Sequence, residues 1–214
     1  MLRDIDLSEI SDGKLYTSND MVKTDCQGCT GCSQCCQGMG TSIILDPYDI
    51  YHLTLGLSMD FTALLSESLE LSIVDGIVLP NLKMDPQTDR CTYLTAEGRC
   101  GIHSIRPGFC RLFPLGRYYE DLSFRYFLQT KECPKTNKSK IKIKKWLGIP
   151  NLKQYEAYTA DWHYYLKKRQ KIAMEAKEAE TVKKLSMEIL RKFYVLPYNT
   201  EQDFYEQFYK RMEK

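Results

Sequence analysis

Nine cysteines in a chain of 214 residues constrain this protein more than any other feature of its sequence. Their number is odd, and their share of the chain is too small for a scaffold held by disulfides. The chain opens with mixed and acidic residues rather than a basic and apolar leader, so we expect a cytoplasmic protein whose thiols stay reduced. Clustered thiols in that compartment are more often metal ligands than disulfides. The cysteines are Cys26, Cys29, Cys32, Cys35, Cys36, Cys91, Cys100, Cys110 and Cys133.

The first five cysteines form one motif, C-x2-C-x2-C-x2-C-C, over residues 26–36. Thiolates are soft ligands that select zinc, copper(I) or iron–sulfur clusters. Structural zinc usually takes two C-x2-C pairs separated by a longer segment. Repeated C-x2-C spacing is instead similar to the bacterial ferredoxin run, which ends in Cys-Pro, and Cys133-Pro134 is a distant counterpart of that ending. The spacing therefore favours a 4Fe–4S cluster, with structural zinc as the alternative.

The vicinal pair Cys35-Cys36 bears on the number of sites. Neighbouring side chains of an extended segment point to opposite sides, so the pair is expected to serve two different sites. Two four-sulfur sites would use eight cysteines and leave Cys26 as the ninth. A lone cysteine is usually a small buried hydrophobe, and that interpretation stays open for Cys26 and for any one of the last four cysteines.

Charge divides the chain near residue 136. Residues 1–136 carry 12 Lys and Arg against 18 Asp and Glu, whereas residues 137–214 carry 18 against 10. The apolar share of 43% and the charged share of 27% are ordinary for a globular protein. We expect an extended N-terminal segment over residues 1–25, a cysteine-cluster metal-binding domain over 26–136 and a helical C-terminal extension over 137–214.

Periodicity and turn residues predict an α+β fold, with a small, loop-rich domain that is stabilised by metal. Asp46-Pro47 is typical of a helix start, and that helix is expected to end at Gly56. The Asp75-Gly76 turn between two apolar runs predicts a β-hairpin, and a second short hairpin is expected around residues 117–126. The other predicted elements are a loop over 26–36, a strand over 41–45, a polar connector around 135–140 and helices over 61–68, 154–180, 181–193 and 200–212.

The cysteines also belong to a longer pattern. The first motif is followed in order by Cys91, Gly98–His103, Arg106–Pro114 and Cys133-Pro134. This arrangement resembles the YkgJ family of cysteine-cluster proteins, a bacterial and archaeal family that is named for its CxxCxxCC signature and described as a zinc- or iron-chelating domain. The resemblance covers roughly residues 26–134, about half of the chain.

The resemblance implies one or two metal sites but no settled activity. The leading expectation is a cytoplasmic protein that holds iron–sulfur clusters for electron transfer or redox sensing, as an iron–sulfur oxidoreductase component with a protein partner and no membrane association. The alternatives are a zinc-stabilised protein-interaction module and a modifying enzyme similar to the protein lysine N-methylases to which some members are linked. The metal ligands that the resemblance implies are Cys29, Cys32, Cys35, Cys36, Cys91, Cys100, Cys110 and Cys133.

Several charged residues lie close to the cysteines in the sequence. His103 could supply a nitrogen ligand, although a supporting role is the simpler interpretation because the thiolates suffice. Arg99, Arg106 and Arg111 either offset the negative charge of a thiolate site or form ordinary ion pairs. The basic run Lys138–Lys145 is expected to be a solvated connector, and nucleic acid is not expected as a partner because no recognised binding motif accompanies it.

Overall fold

The computed structural model describes residues 6–25, 32–176 and 178–213. Within these residues the fold is α+β, with eight α-helices and three two-stranded antiparallel sheets. The helices are α1 (Leu7–Ile10), α2 (Pro47–Leu57), α3 (Phe61–Glu67), α4 (Gly108–Leu112), α5 (Ile143–Leu147), α6 (Leu152–Glu175), α7 (Ala179–Leu190) and α8 (Phe204–Met212). The strands are β1 (Met21–Asp25), β2 (Leu69–Val74), β3 (Ile77–Leu82), β4 (Leu115–Glu120), β5 (Ser123–Leu128) and β6 (Ser139–Lys142).

Both predicted hairpins are confirmed. Strands β2 and β3 pair through a turn in which Asp75 and Gly76 have φ angles of 48° and 84°. Strands β4 and β5 pair through Asp121 and Leu122, whose φ angles are 48° and 58°. A turn with two left-handed residues matches the right-handed twist of the flanking strands, which is why Asp-Gly was informative in the first hairpin.

The third sheet joins two segments that are distant in the sequence, β1 and β6. Val22 lies opposite Ile141, and Val22 is only 2% exposed. The predicted polar connector around residues 135–140 and the solvated connector Lys138–Lys145 are therefore corrected: a strand begins at Ser139, and α5 follows it. The apolar residues that alternate with the lysines are the reason, because they turn one side of this run towards the core.

The structure differs from the prediction in the segment before α2 and at the C-terminal end of α2. Residues 41–45 do not form a regular strand, since only Ile44 makes a β-bridge, to Asn81 on β3. Helix α2 begins as predicted, with Asp46 as N-cap in a capping box. It continues through Gly56 and ends when Ser58 adopts the left-handed conformation, with φ of 54°. Gly56 serves packing rather than helix termination, because a Cβ atom there would lie 2.4 Å from Ile105 Cδ1 and would force Ile105 to move.

The C-terminal helices form as expected, with shifted bounds. Helix α6 ends at Glu175 rather than near residue 180, α7 is followed by a π-helical turn over Arg191–Val195, and α8 begins at Phe204. No helix in the described ranges is both long and apolar enough to cross a membrane.

The helical extension shares one core with the rest of the chain. A continuous cluster of buried side chains includes residues from α2, from the β2–β3 hairpin and from α6 to α8. Hydrogen bonds cross the same boundary: the Tyr48 N–H donates to Tyr158 Oη at 3.0 Å, and the Tyr194 hydroxyl donates to the Leu45 carbonyl at 3.0 Å. The extension thereby supports α2, which in turn positions the candidate site.

Candidate metal centre

Seven cysteines line one cavity of about 210 Å³, which we call the cysteine cavity. They come from the first motif, from the long loop after β3, from α4 and from the segment after β5. The structure thus brings together every described member of the predicted ligand set. Cys29, and also Cys26, lie outside the described residues. The cysteines of the cavity are Cys32, Cys35, Cys36, Cys91, Cys100, Cys110 and Cys133.

The vicinal pair lies in a 3-10 turn over Gln34–Cys36, where an irregular loop was expected. The Cys36 N–H donates to the Ser33 carbonyl at 2.9 Å, which tightens the chain at this point. The Sγ atoms of Cys35 and Cys36 lie 3.9 Å apart, and both face the cysteine cavity. The premise of an extended segment was therefore wrong, and with it the reason for assigning the pair to two sites.

Backbone pairing connects the first motif to the loop after β3. The Cys91 N–H donates to the Cys36 carbonyl at 2.8 Å, and the Gly38 N–H donates to the Asp89 carbonyl at 2.9 Å. Further along the loop, Cys100 makes a β-bridge with Leu94. These backbone bonds connect the segment of Cys36 to the loop that carries Cys91 and fold that loop at Cys100.

Helix α4 carries Cys110 and is anchored on α2. The Gly108 N–H donates to Asp49 Oδ1 at 2.7 Å. Only glycine fits at position 108, because a Cβ atom there would lie 2.1 Å from Tyr155 Oη. In the segment after β5, the Cys133 carbonyl accepts a hydrogen bond from Lys138 Nζ at 3.1 Å. A buried contact thus fixes the helix that presents Cys110.

Apolar side chains complete the walls of the cavity. Ile43 and Leu82 are each 1% exposed, and Phe113 and Trp146 lie beside them in the lining. Trp146 Nε1 donates to the Phe113 carbonyl at 3.2 Å, which ties α5 to the end of α4. Sequence reasoning assigned none of these residues to the site. The sequence offered only their positions as an indication: Phe113 lies three residues after Cys110, and Trp146 directly follows the basic run Lys138–Lys145.

The thiols of the cavity differ in acidity. A hydrogen bond from Cys36 lowers the pKa of Cys35 to about 7 and that of Cys100 to about 6, and the charge of Arg106 acts in the same direction on both. The same hydrogen bonds raise the pKa of Cys36. Burial raises the pKa of Cys110 well above its usual range. Cys35 and Cys100 are therefore the more acidic thiols of the cavity, and Cys36 and Cys110 are the less acidic ones.

His103 and Arg106 contact each other at the cavity. Arg106 Nη1 lies within hydrogen-bond distance of His103 Nε2. Because a guanidinium has no acceptor atom, the imidazole must accept through Nε2. Burial lowers the pKa of His103, and the charges of Arg106, Arg99 and Arg111 lower it further. The histidine is therefore a neutral partner of the arginine.

The described thiols are gathered but not arranged as a ready site. In the part of the chain that the structure describes, no group of three or more Cys, His, Asp or Glu side chains could hold a metal ion as it stands. What the fold provides is a shared cavity, and the thiols are brought to it from four parts of the chain.

A comparison with protein-family models identifies the family. Residues 28–146 match the model named CxxCxxCC, described as "Putative zinc- or iron-chelating domain". The match covers more than half of the chain, so this chain belongs to that family. It begins after Cys26 and includes the other eight cysteines. Comparison with curated proteins and with solved structures gave no match.

The residues of the cavity fit the metals that the family description names. Thiolates are common ligands of zinc and of iron–sulfur clusters. Seven thiols face one space, and Arg106 supplies a positive charge beside two of them. The chain therefore contains the donor set of a metal-binding protein.

Proposed function

We propose that this protein holds an iron–sulfur cluster in the cysteine cavity and serves in electron transfer or redox sensing. One observation carries the proposal: seven thiols from distant segments line a single cavity of about 210 Å³. A single zinc ion is enclosed directly by four ligands at about 2.3 Å and needs no chamber. A cavity of this size, rich in thiols, is better suited to a group of several metal and sulfide atoms.

We propose the eight cysteines of the family match as the ligand set, with Cys29 included on the strength of the motif. Cys35 and Cys100 are the best first ligands, because the thiolate is the form that binds metal and these two thiols have lowered pKa values. A 4Fe–4S cluster takes four thiolates. The eight proposed cysteines are therefore more than the four that one 4Fe–4S cluster requires.

The surroundings of the thiols favour a redox role. A bound iron–sulfur cluster supplies reversible one-electron chemistry, at a potential set by charge, hydrogen bonds to sulfur and exposure. Arg106 offsets negative charge at Cys35 and Cys100. The backbone N–H of Ile102 is hydrogen-bonded to the Cys100 thiol. The buried apolar side chains of Ile43 and Leu82 line the same cavity and lower the polarity around the thiols.

A protein partner is part of the proposal. Arg99 and His103 line the cavity and are exposed, so the cavity reaches the surface between basic and polar side chains. Complementary charge steers proteins together and orients them. We therefore propose a partner with an acidic surface that docks at this opening, in the reducing environment of the cytoplasm.

The test is anaerobic purification, followed by a visible absorption spectrum and by assays of iron, zinc and acid-labile sulfide on the same sample. The proposal expects coloured protein with equal amounts of iron and sulfide, whose colour bleaches on reduction. Colourless protein that carries zinc and no sulfide would overturn the redox function and leave a zinc-stabilised interaction module. The assays thus distinguish zinc-bound protein from protein with an iron–sulfur cluster in a single preparation.

A further inference from the structure

A second cavity, of about 250 Å³, lies against the cysteine cavity. It is enclosed by α2, by the 3-10 turn over His103–Ile105, by α4 and by the segment Gly148–Pro150. Arg106 lines both cavities. Arg111 lines only the second of them, although it follows Cys110 directly on α4. We call this space the arginine cavity.

The two arginines bring two positive charges to the lining of the arginine cavity. Both side chains are half-buried, and in the described ranges neither forms an ion pair with a carboxylate. The Nε atom of Arg106 is buried and has no hydrogen-bond partner among the described residues. A buried donor on a charged group is costly unless an acceptor meets it. One donor of the Arg106 guanidinium is therefore left for a ligand oxygen to satisfy.

Arg111 is held in position by neutral groups. Its Nε donates to the Arg106 carbonyl at 3.0 Å, and its Nη2 donates to the Ser104 carbonyl. Two carbonyl oxygens orient the guanidinium plane but carry no net charge to balance it. The remaining N–H groups stay available on a side chain that is already ordered, which reduces the entropy cost of binding a ligand.

Asp49 is the acidic side chain in the lining, and the backbone already engages it. Its Oδ1 accepts from the Gly108 N–H at 2.7 Å, and its Oδ2 accepts from the Asp46 N–H at 3.2 Å. Burial, reinforced by Asp46, raises its pKa well above the usual range, which favours the uncharged form. Asp49 forms no ion pair with Arg111 among the described residues, and backbone N–H groups already engage both of its side-chain oxygens.

We propose that the arginine cavity binds a small molecule through an oxyanion group, a phosphate or a carboxylate, held by Arg106 and Arg111. Guanidinium groups recognise paired anionic oxygens through two parallel hydrogen bonds. Pockets for drug-sized ligands measure roughly 300–1,000 Å³, so a cavity of about 250 Å³ suits a small ligand. The neutral imidazole of His52, whose pKa is lowered by burial and by Arg111, adds a polar group at the same wall.

This inference does not depend on which metal the cysteine cavity holds. It does predict communication between the two cavities, because Arg106 belongs to both and the residue before Arg111 is a proposed ligand. An anion beside Arg106 would weaken the positive field that this side chain exerts at Cys35 and Cys100. Binding of an anion in the arginine cavity should therefore change the electrostatic environment of the thiols in the cysteine cavity.

The test is titration of the purified full chain with inorganic phosphate and, separately, with acetate, followed by NMR of the arginine Nε–H groups. We expect saturable shifts of the Arg106 and Arg111 signals at millimolar or lower concentration with at least one anion. Phosphate alone would assign a phosphate ligand, and acetate a carboxylate ligand. Absence of saturation with both anions would overturn the proposal.

Two matched variants locate the binding. His52→Glu puts a carboxylate into the cavity and should reduce anion affinity by about tenfold or more. Leu55→Glu adds the same charge to the same helix at a residue that is 43% exposed and outside the lining, and it should bind as the unmodified chain does. Equal affinities in the two variants would overturn the site. Thermal unfolding of both checks that each is folded.

Discussion

The sulfur atoms of Cys35 and Cys36 lie 3.9 Å apart and face the same cavity, although the residues are neighbours in the chain. Neighbouring side chains diverge in an extended segment, and the 3-10 turn over Gln34–Cys36 removes that divergence. The contact also separates the two thiols in acidity, because Cys36 shares its proton with Cys35 and so lowers the pKa of that thiol. The 3-10 turn thus brings the two thiols into contact, and this contact makes Cys35 more acidic than Cys36.

Removal of a cavity thiol should remove the metal. We expect Cys35→Ser and Cys110→Ser to lose most of the bound metal and part of the thermal stability, because metal binding and folding are coupled. Metal analysis and thermal unfolding of the same preparations measure both effects. Cys26→Ser is the control, since residue 26 precedes the family match. Full metal content in the first two variants would contradict the ligand set.

Arg106 should set the electrostatics of the centre. Arg106→Gln removes a positive charge beside Cys35 and Cys100, so the more negative reduced state becomes less favourable. If the cavity holds the proposed iron–sulfur cluster, we expect the reduction potential of that cluster to fall on the order of 50 mV, or about 1 kcal/mol. Potentiometric titration measures it. Arg125→Gln is the control, because Arg125 pairs with Glu120 on the β4–β5 hairpin. An unchanged potential in Arg106→Gln would contradict the role.

Asp49 should affect the metal centre from outside its cavity. Asp49→Ala leaves the Gly108 N–H without its acceptor and breaks the capping box of α2, at a cost of about 1–3 kcal/mol. We expect weaker metal retention as well, because Gly108 opens the helix of Cys110. Asp60→Ala removes a comparable cap from α3 and should cost about 1 kcal/mol without loss of metal. Competition with a chelator compares the two variants, and equal retention would refute the link.

His163 should make stability depend on pH. Its ring stacks on Tyr119 with centroids 3.6 Å apart, and burial, with help from Lys167 and Arg117, lowers its pKa to about 4. The unfolded chain restores a value near 6.5. Between about pH 4 and 6.5 the unfolded chain therefore binds a proton that the folded protein does not, so the free energy of unfolding falls as the pH falls through this window.

The variant His163→Phe keeps a stacked ring and removes the proton-binding group. Its free energy of unfolding should therefore fall less than that of the unmodified chain between pH 7 and pH 5. Urea unfolding at the two pH values, with both proteins measured side by side, gives the difference. Parallel losses in the two proteins would rule out His163 as a source of the pH dependence.

Local chemistry explains which elements were predictable. Asp75-Gly76 specifies a left-handed turn, and Asp46-Pro47 specifies a helix start, so both were found from a few adjacent residues. The pairing of β1 with β6 was missed because it joins residues more than a hundred positions apart, and neither strand is strongly apolar. From the sequence, Gly56 predicted a helix end, but in the structure it lies within α2 at a position where Ile105 leaves no room for a Cβ atom.

By itself, the sequence determined the chemistry of this protein: nine thiols, their spacing, the α+β class and membership in a metal-chelating family follow from residue types and short-range patterns. Only the tertiary structure decided which of these thiols lie together in space. Four distant segments meet at one cavity, Cys35 and Cys36 face the same space, and Arg106 stands between two cavities. The physical reason is that residue spacing fixes distances only between residues that are close in the sequence. Remote segments come together because they bury apolar side chains in a common core.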